Sequence, residues 1–182
     1  EYYSKVTPAK LYDHDPSYLT EYALAAFANQ KYDVSKQIAT FGLSKKPRNA
    51  GYNRLALYNS FELKQYDEAA KYVDALVNKS DSVELTANDY KYAGLVYTAL
   101  KQYDNAISYA KKSLAIFQHK VETYLLLGDI YAIKNKEKES LQFYEMAEMN
   151  NLKTFFLYMS WAISLQKFNH HNKAIEKLHC AN

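Results

Sequence analysis

Glycine and proline are scarce in this chain of 182 residues, which contains four glycines and three prolines. A β-sandwich or β-barrel of this length needs many more turn residues between its strands. The single cysteine, Cys180, excludes an internal disulfide framework and leaves the cellular compartment open. No apolar run approaches the ~20 residues that a membrane-spanning helix requires. These absences favour long helices with short connections.

The charge is also low, because 23 basic and 20 acidic residues leave a formal net charge of +3. A nucleic-acid partner usually requires Lys and Arg gathered along one stripe. The densest basic stretches, residues 45–48 and 134–138, fall where turns or loops are predicted. We therefore interpret them as solvated turns and expect no nucleic-acid partner.

Tyrosine is abundant, with 19 copies, and some of these tyrosines recur at a regular spacing. Tyr32, Tyr66 and Tyr103 each follow a polar residue and precede Asp, and they are separated by 34 and then 37 residues. Two further steps of 34 lead to Glu137 and His171, which lie in similar polar segments. A fixed period of this length is typical of helical-repeat proteins.

A helical pattern with one small residue precedes each of these segments. Residues 124–131 read Tyr-x2-Leu-Gly-x2-Tyr, and residues 90–97 and 158–165 read similarly. Glycine inside a helix costs about 1 kcal/mol relative to alanine. Gly94 and Gly128 stand at equivalent places, so we expect close packing of a neighbouring helix to compensate for this cost.

The pattern resembles the tetratricopeptide repeat (TPR), whose units are helix pairs of 34 residues. The resemblance implies an all-α, right-handed α-solenoid superhelix of about five repeats, with ten principal helices. The second unit fits least well, because Asn53, Ala56, Leu57 and Ser60 replace the usual residue types. The repeats are placed near residues 16–49, 50–86, 87–120, 121–154 and 155–182, after an N-terminal segment over residues 1–15. Turns within the pairs are predicted near residues 30–33, 64–67, 101–104, 135–138 and 169–172.

Local signals agree with this register. Asp15 before Pro16 is typical of a helix start, and Thr86 with Asp89 forms a capping-box pattern. The three extra residues between the second and third units fall in the polar segment 80–82, which can form a loop.

Two clusters contain residue types that can carry chemistry, but neither predicts a site. In the first cluster, His170 and His171 are adjacent, so their side chains diverge on a helix. His171 and His179 are eight residues apart, which separates them by ~12 Å along the helix axis. The segment 13–15, Asp-His-Asp, is better interpreted as a helix start. The sequence has no glycine-rich phosphate loop or nucleophile elbow. We therefore expect no catalytic residue, no metal and no cofactor, and do not expect an enzyme. The first cluster comprises His170, His171, His179 and Cys180.

The resemblance implies a scaffold that binds a peptide or helical segment of a partner protein. In such arrays the first helices of the pairs line a concave face. Aromatic residues and Arg contribute strongly at protein interfaces, so the second to fourth units are the expected centre of binding. Asp129 opposite Lys91 and Arg54 suggests either a ligand of mixed charge or ion pairs between repeats. The residues predicted to bind the partner are Arg54, Tyr58, Lys91, Leu95, Leu125 and Asp129. The remaining inward-facing candidates are Thr20, Leu24, Phe27, Phe61, Thr98, Met159 and Ile163.

Several alternatives stay open at this point. Co-chaperone TPR proteins grip a C-terminal carboxylate with Lys and Asn from three consecutive units, but the matching positions here do not form such a clamp, so binding of this kind is disfavoured. In the first three units these positions hold Thr20, Leu24, Leu55, Asn88 and Tyr92. An RNA-binding helical repeat is a weaker alternative, because the inward residues are too apolar. The chain begins with Glu1 rather than Met, so we expect it to be processed or part of a longer protein, within which it could be a regulatory or sensory segment. Ile175 and Leu178 on the last helix predict a covered C-terminal end or self-association there.

Overall fold

Helices are the only regular structure in the computed structural model, which describes residues 7–14, 16–79, 84–117, 121–150 and 153–181. Ten of the helices form five pairs, in which we name the first helix A and the second helix B. The A helices are α2 (Pro16–Ala28), α4 (Ala50–Glu62), α6 (Ala87–Ala99), α8 (Val121–Ile133) and α10 (Phe155–Lys167). The B helices are α3 (Tyr32–Lys45), α5 (Tyr66–Asp74), α7 (Tyr103–Ile116), α9 (Glu137–Met149) and α11 (His171–Cys180).

One turn geometry joins the two helices of every pair. In the first pair, Gln30 adopts a left-handed conformation with φ of 59°. Its N–H donates to the Phe27 carbonyl at 2.9 Å, and the Lys31 N–H donates to the Ala26 carbonyl at 2.9 Å. These two hydrogen bonds define a Schellman motif, which satisfies carbonyl groups at the end of a helix. The other four turns repeat the motif around Lys64, Lys101, Asn135 and Asn169, and all five overlap the predicted turn positions.

Three A helices, α4, α6 and α10, begin with side-chain caps that the described residues show, unlike the B helices. The Thr86 hydroxyl accepts from the Asp89 N–H at 3.2 Å, and the Asp89 carboxylate accepts from the Thr86 N–H at 2.8 Å, which confirms the predicted capping box. Asn49 and Thr154 likewise cap α4 and α10 with side-chain oxygens. No B helix has a side-chain cap, because each one starts directly from the backbone of a Schellman turn.

Two elements were not predicted. A short helix, α1 (Pro8–His14), lies in the N-terminal segment and contacts α2 and α3. The helix α5 continues as a π-helical segment over Ala75–Lys79. The predicted cap at Asp15 and the predicted loop over residues 80–82 lie outside the described residues.

Small residues allow the helices of each pair to approach. The fourth residue of every B helix is Ala or Ser and at most 7 % exposed. Ser35 donates to the Ala23 carbonyl at 2.8 Å, and Ser140 donates to the Gly128 carbonyl at 2.9 Å. A serine at this position therefore adds a hydrogen bond without keeping the helices apart. The five residues are Ser35, Ala69, Ala106, Ser140 and Ala174.

The second pair keeps the fold despite its unusual residues. Asn53 is 2 % exposed and donates to the carbonyls of Pro47 and Asn49, at 3.2 and 3.1 Å. Asn59 is fully buried and donates to the Ser35 hydroxyl at 2.8 Å. The buried amide N–H groups of Asn53 and Asn59 thus have the hydrogen-bond partners that buried donors require, whereas Asn59 Oδ1 and the Ser60 hydroxyl are buried without a partner among the described residues.

The chain divides into two compact units, Glu1–Leu85 and Thr86–Asn182. In unit 1, a core cluster includes Leu19, Ile38, Tyr52 and Leu55. Unit 2 has a cluster around Leu127 and Ile130. A further cluster in unit 2 surrounds Tyr144, Leu157 and Trp161. Each core lies between helices that follow one another in the chain, as a repeat architecture requires.

Candidate functional site

The contacts between helices show which side of each unit is the inner one. In unit 1, α2 contacts α4, and in unit 2, α6 contacts α8 and α8 contacts α10. Within each unit, the described B helices meet through side chains, such as the Lys36–Glu68 and Lys177–Glu148 ion pairs, but no two of them bring their backbones as close together as neighbouring A helices do. Because neighbouring A helices lie closer together than neighbouring B helices, each unit curves with its A helices on the inside.

The inward-facing candidates stand at the fifth, ninth and twelfth positions of the A helices. We call the surface that these positions form in each unit its A face. No predicted A-face residue is buried. Leu24 in unit 1 and Ile163 in unit 2 are 52 % and 61 % exposed, which makes them the most accessible apolar side chains of the set. Both were predicted to face inward, but neither was among the residues predicted to bind the partner.

Unit 1 carries an aromatic A face. The rings of Phe27 and Tyr58, from successive A helices, lie 6.1 Å apart, and Phe27 also packs edge-on against Tyr32 at 5.4 Å. Tyr58 is half-buried, as is its neighbour one turn earlier, Arg54. Tyr58 therefore takes part in packing while part of its surface remains accessible.

In unit 2, three of the four predicted residues also contribute to packing within the unit. Leu95 packs against the cluster around Leu127, and Leu125 packs against the cluster around Trp161. The ammonium of Lys91 lies 5.6 Å from the centroid of the adjacent Tyr92 ring.

Asp129 is held by a hydrogen bond that the sequence did not reveal. Its carboxylate accepts from the Tyr144 hydroxyl at 2.7 Å. Burial raises the pKa of Asp129, and hydrogen bonds from Tyr144 and Ser160 offset part of this effect. Burial and the neighbouring carboxylate also raise the pKa of Tyr144. Asp129 therefore orients Tyr144, a role that its spacing from Lys91 and Arg54 did not indicate.

The C-terminal histidines are separated in the structure. His170 lies 2.6 Å from a carboxylate oxygen of Glu137, whereas His171, His179 and Cys180 are exposed. Among the described residues, no three His, Cys, Asp or Glu side chains are grouped so that they could hold a metal ion. The Asp-His-Asp segment, residues 13–15, ends outside the described residues.

Comparison with solved structures identifies the architecture. YrrB, described as a TPR protein with an unusual peptide-binding site, has a TM-score of 0.75 at 13 % identity, over 97 % of this chain and 91 % of its own. MamA has a TM-score of 0.74 at 14 % identity, over 87 % of this chain and 91 % of its own. A thermophilic TPR protein from Thermus thermophilus has a TM-score of 0.69 at 14 % identity, over 90 % of this chain and 88 % of its own.

The chain has the TPR fold. Neither a family model nor a curated protein matches the sequence. The prediction of an all-α solenoid of TPR-like helix pairs is therefore confirmed by structural similarity. These similar structures share 17 % sequence identity or less with the chain. None of the described helices is both long and apolar enough to span a membrane.

Proposed function

We propose that the chain is a protein-interaction scaffold whose A faces bind an extended or helical segment of a partner protein. The supporting observation is the exposure of apolar A-face residues, above all Ile163 at 61 %. Large apolar side chains on a regular, curved helical surface provide the contact area that a peptide requires.

The A-face chemistry favours a partner segment with apolar side chains. In unit 2, Leu95, Leu125 and Ile163 stand on three successive A helices, with Lys91 and Asp129 as the charged residues. Asp129 already accepts a hydrogen bond from Tyr144. Most of the binding free energy is therefore expected from apolar contacts. The TPR protein YrrB, described as having an unusual peptide-binding site, provides a precedent for peptide binding on this fold.

Two isoleucines of the last helix pair provide a matched test. Ile163 lies on the A face, and Ile175 is on helix B of the same pair and 54 % exposed. The tagged chain is used to isolate a partner from the source cell, and the partner is shortened to the segment that binds. Calorimetric titration of this segment then compares wild type, Ile163→Glu and Ile175→Glu.

We expect Ile163→Glu to weaken binding by about 1–3 kcal/mol, because a charge would be buried against an apolar side chain. Ile175→Glu should leave the affinity unchanged. Circular dichroism checks that both variants retain the helical content of wild type. A loss of affinity only in Ile175→Glu would show that the segment binds to helix B and that the proposal is wrong.

A further inference from the structure

A cavity of about 290 Å³ lies between α9 and α11, on the other side of α10 from the A face. Its floor is formed by Trp161 and Leu165 of α10. This volume lies just below the range of small-molecule pockets, about 300–1,000 Å³, and suits a single side chain. Three carboxylates and two ammonium groups line it, which leaves a formal charge of −1 and favours a cation. The remaining lining residues are Leu141, Glu145, Glu148, Lys173, Glu176 and Lys177.

Lys177 shows how this cavity holds a cation. Its ammonium lies 3.5 Å from the centroid of the Trp161 ring and 5.7 Å from that of Tyr158. Both carboxylate oxygens of Glu148 accept from it at 3.2 Å. An indole face is the strongest aromatic partner of a cation, and an ion pair adds to the attraction. We call the three partners Tyr158, Trp161 and Glu148 the socket.

Comparison with the two preceding pairs of unit 2 shows that Lys177 replaces an aromatic ring. In α6–α7, the seventh residue of helix B, Tyr109, stacks between Tyr90 and Tyr97, at 6.2 and 5.4 Å. In α8–α9, Phe143 stacks between Tyr124 and Tyr131, at 6.4 and 5.5 Å.

In the last pair, Lys177 stands at the same position of helix B. Helix A keeps the aromatic residue at its fourth position, Tyr158, but has Leu165 in place of the second tyrosine and carries Trp161 at its seventh position. A flexible charged side chain therefore occupies the position at which an aromatic ring stacks in the two preceding pairs. Unlike a stacked ring, a lysine side chain can leave the socket and enter solvent at a small cost in free energy, because its ammonium is well hydrated in water.

We propose that the socket binds a lysine side chain of a partner protein, with Lys177 as the side chain that fills it in the free chain. The incoming ammonium would stack on Trp161 and pair with Glu148, while its aliphatic stem would enter the cavity over Leu165. Lys177 competes for the same place. The apparent affinity for the partner's lysine is therefore the intrinsic affinity multiplied by the fraction of time that Lys177 leaves the socket open.

The test uses the fluorescence of Trp161, which is the only tryptophan of the chain. The full chain is titrated with Nα-acetyl-lysine methylamide, and the norleucine counterpart, which lacks the ammonium, serves as the control. We expect a saturable change of Trp161 emission in wild type and a roughly tenfold tighter one in Lys177→Ala, in which the competitor is absent. Norleucine should give no saturable change in either chain.

Two further variants separate the socket from a general effect on α11. Lys177→Phe recreates the ring found at Phe143 and should abolish the response, while Ile175→Ala, at an exposed position of α11 outside the cavity lining, should respond as wild type does. If Lys177→Ala lowers the helical content, Lys177→Gln replaces it. The proposal would be overturned if the lysine and norleucine compounds gave equal responses, or if wild type and Lys177→Ala bound the lysine compound with equal affinity. It would also be overturned if Lys177→Ala gave no saturable response.

Discussion

Two helix pairs of unit 2 carry a glycine at the same position, the eighth residue of helix A, but for different reasons. A Cβ atom at Gly94 of α6 would lie 3.4 and 3.5 Å from backbone atoms of Ala106 and Ala110. A Cβ atom at Gly128 of α8 would lie only 2.6 Å from the Tyr144 ring. At Gly94 the added atom would thus meet the backbone of helix B at ordinary contact distances, whereas Gly128 makes room for an aromatic side chain.

The repeat therefore determines the backbone geometry of both pairs, while local side chains determine how the space between the two helices of each pair is filled. The turns of the two pairs are the same, with Lys101 and Asn135 in left-handed conformations of 59° and 56°. The eighth residue of helix B is Ala110 in one pair and Tyr144 in the other, and both are at most 1 % exposed. Volume lost at the glycine is therefore recovered in α8–α9 by the ring.

The largest effect is expected from Tyr144→Ala. The ring is 1 % exposed, stacks on Trp161 at 6.0 Å and donates to Asp129. Its removal should lower the free energy of unfolding by about 3–5 kcal/mol, because it leaves a cavity beside the glycine. Urea unfolding followed by Trp161 fluorescence measures this directly. A loss of unfolding free energy below about 1 kcal/mol would show that the ring does not fill the space between α8 and α9.

Gly128→Ala should cost about 1–3 kcal/mol, since the added methyl group overpacks the core against a ring. In the Tyr144→Ala background the same change should cost nothing, or stabilise by up to about 1 kcal/mol through helix propensity. The double-mutant cycle over the four chains tests this coupling. Additive effects would contradict the assignment of Gly128 to the Tyr144 ring.

Gly94→Ala is expected to change stability by no more than about 1 kcal/mol in either direction. The helix-propensity gain of about 1 kcal/mol opposes contacts that are tighter than usual, the nearest being Leu126 at 3.3 Å. Denaturant midpoints of Gly94→Ala and Gly128→Ala, measured side by side, provide the comparison. If Gly94→Ala destabilised the chain more than Gly128→Ala, the two glycines would have been assigned the wrong way round.

The smallest effect concerns Asp129, whose pKa burial raises above its ordinary value of 3.8. A carboxyl group with a raised folded-state pKa contributes most to stability below its unfolded pKa, and this contribution is lost as pH rises through the folded pKa. Asp129→Asn can still accept from Tyr144 but cannot titrate. Wild type should therefore lose stability relative to Asp129→Asn as pH rises from strongly acidic to neutral. A difference that does not vary with pH would contradict the raised pKa.

The sequence predicted the backbone of this fold because its signals are local and periodic. Spacings of 34 and 37 residues located all five turns, and the residue types around Thr86 located a capping box. The short helix α1 was missed because seven residues are too few to show a helical period. The π-helical segment over Ala75–Lys79 has no sequence signature of its own.

The candidate site was less predictable, because exposure depends on neighbours that the sequence does not show. Residue type favoured Leu125 and Asp129, which the structure finds partly engaged in packing and in a hydrogen bond to Tyr144. Helical phase predicted that Ile163 faces inward, but its 61 % exposure became visible only in the structure, in which α8 and α11 pack beside α10. The lysine in the Trp161 socket had no sequence signal, because positions 161 and 177 lie on different helices.

Site-specific crosslinking in the source cell tests most directly whether the A faces bind a partner. A photoreactive benzoylphenylalanine replaces Ile163 or Leu24 on the A faces, or Ile175 on helix B as the control, and all three positions are more than half exposed. We predict that illumination joins a protein segment to positions 163 or 24, that mass spectrometry maps it to one stretch of the partner, and that position 175 gives no such adduct. Adducts from position 175 alone would contradict the proposal that the A faces bind the partner.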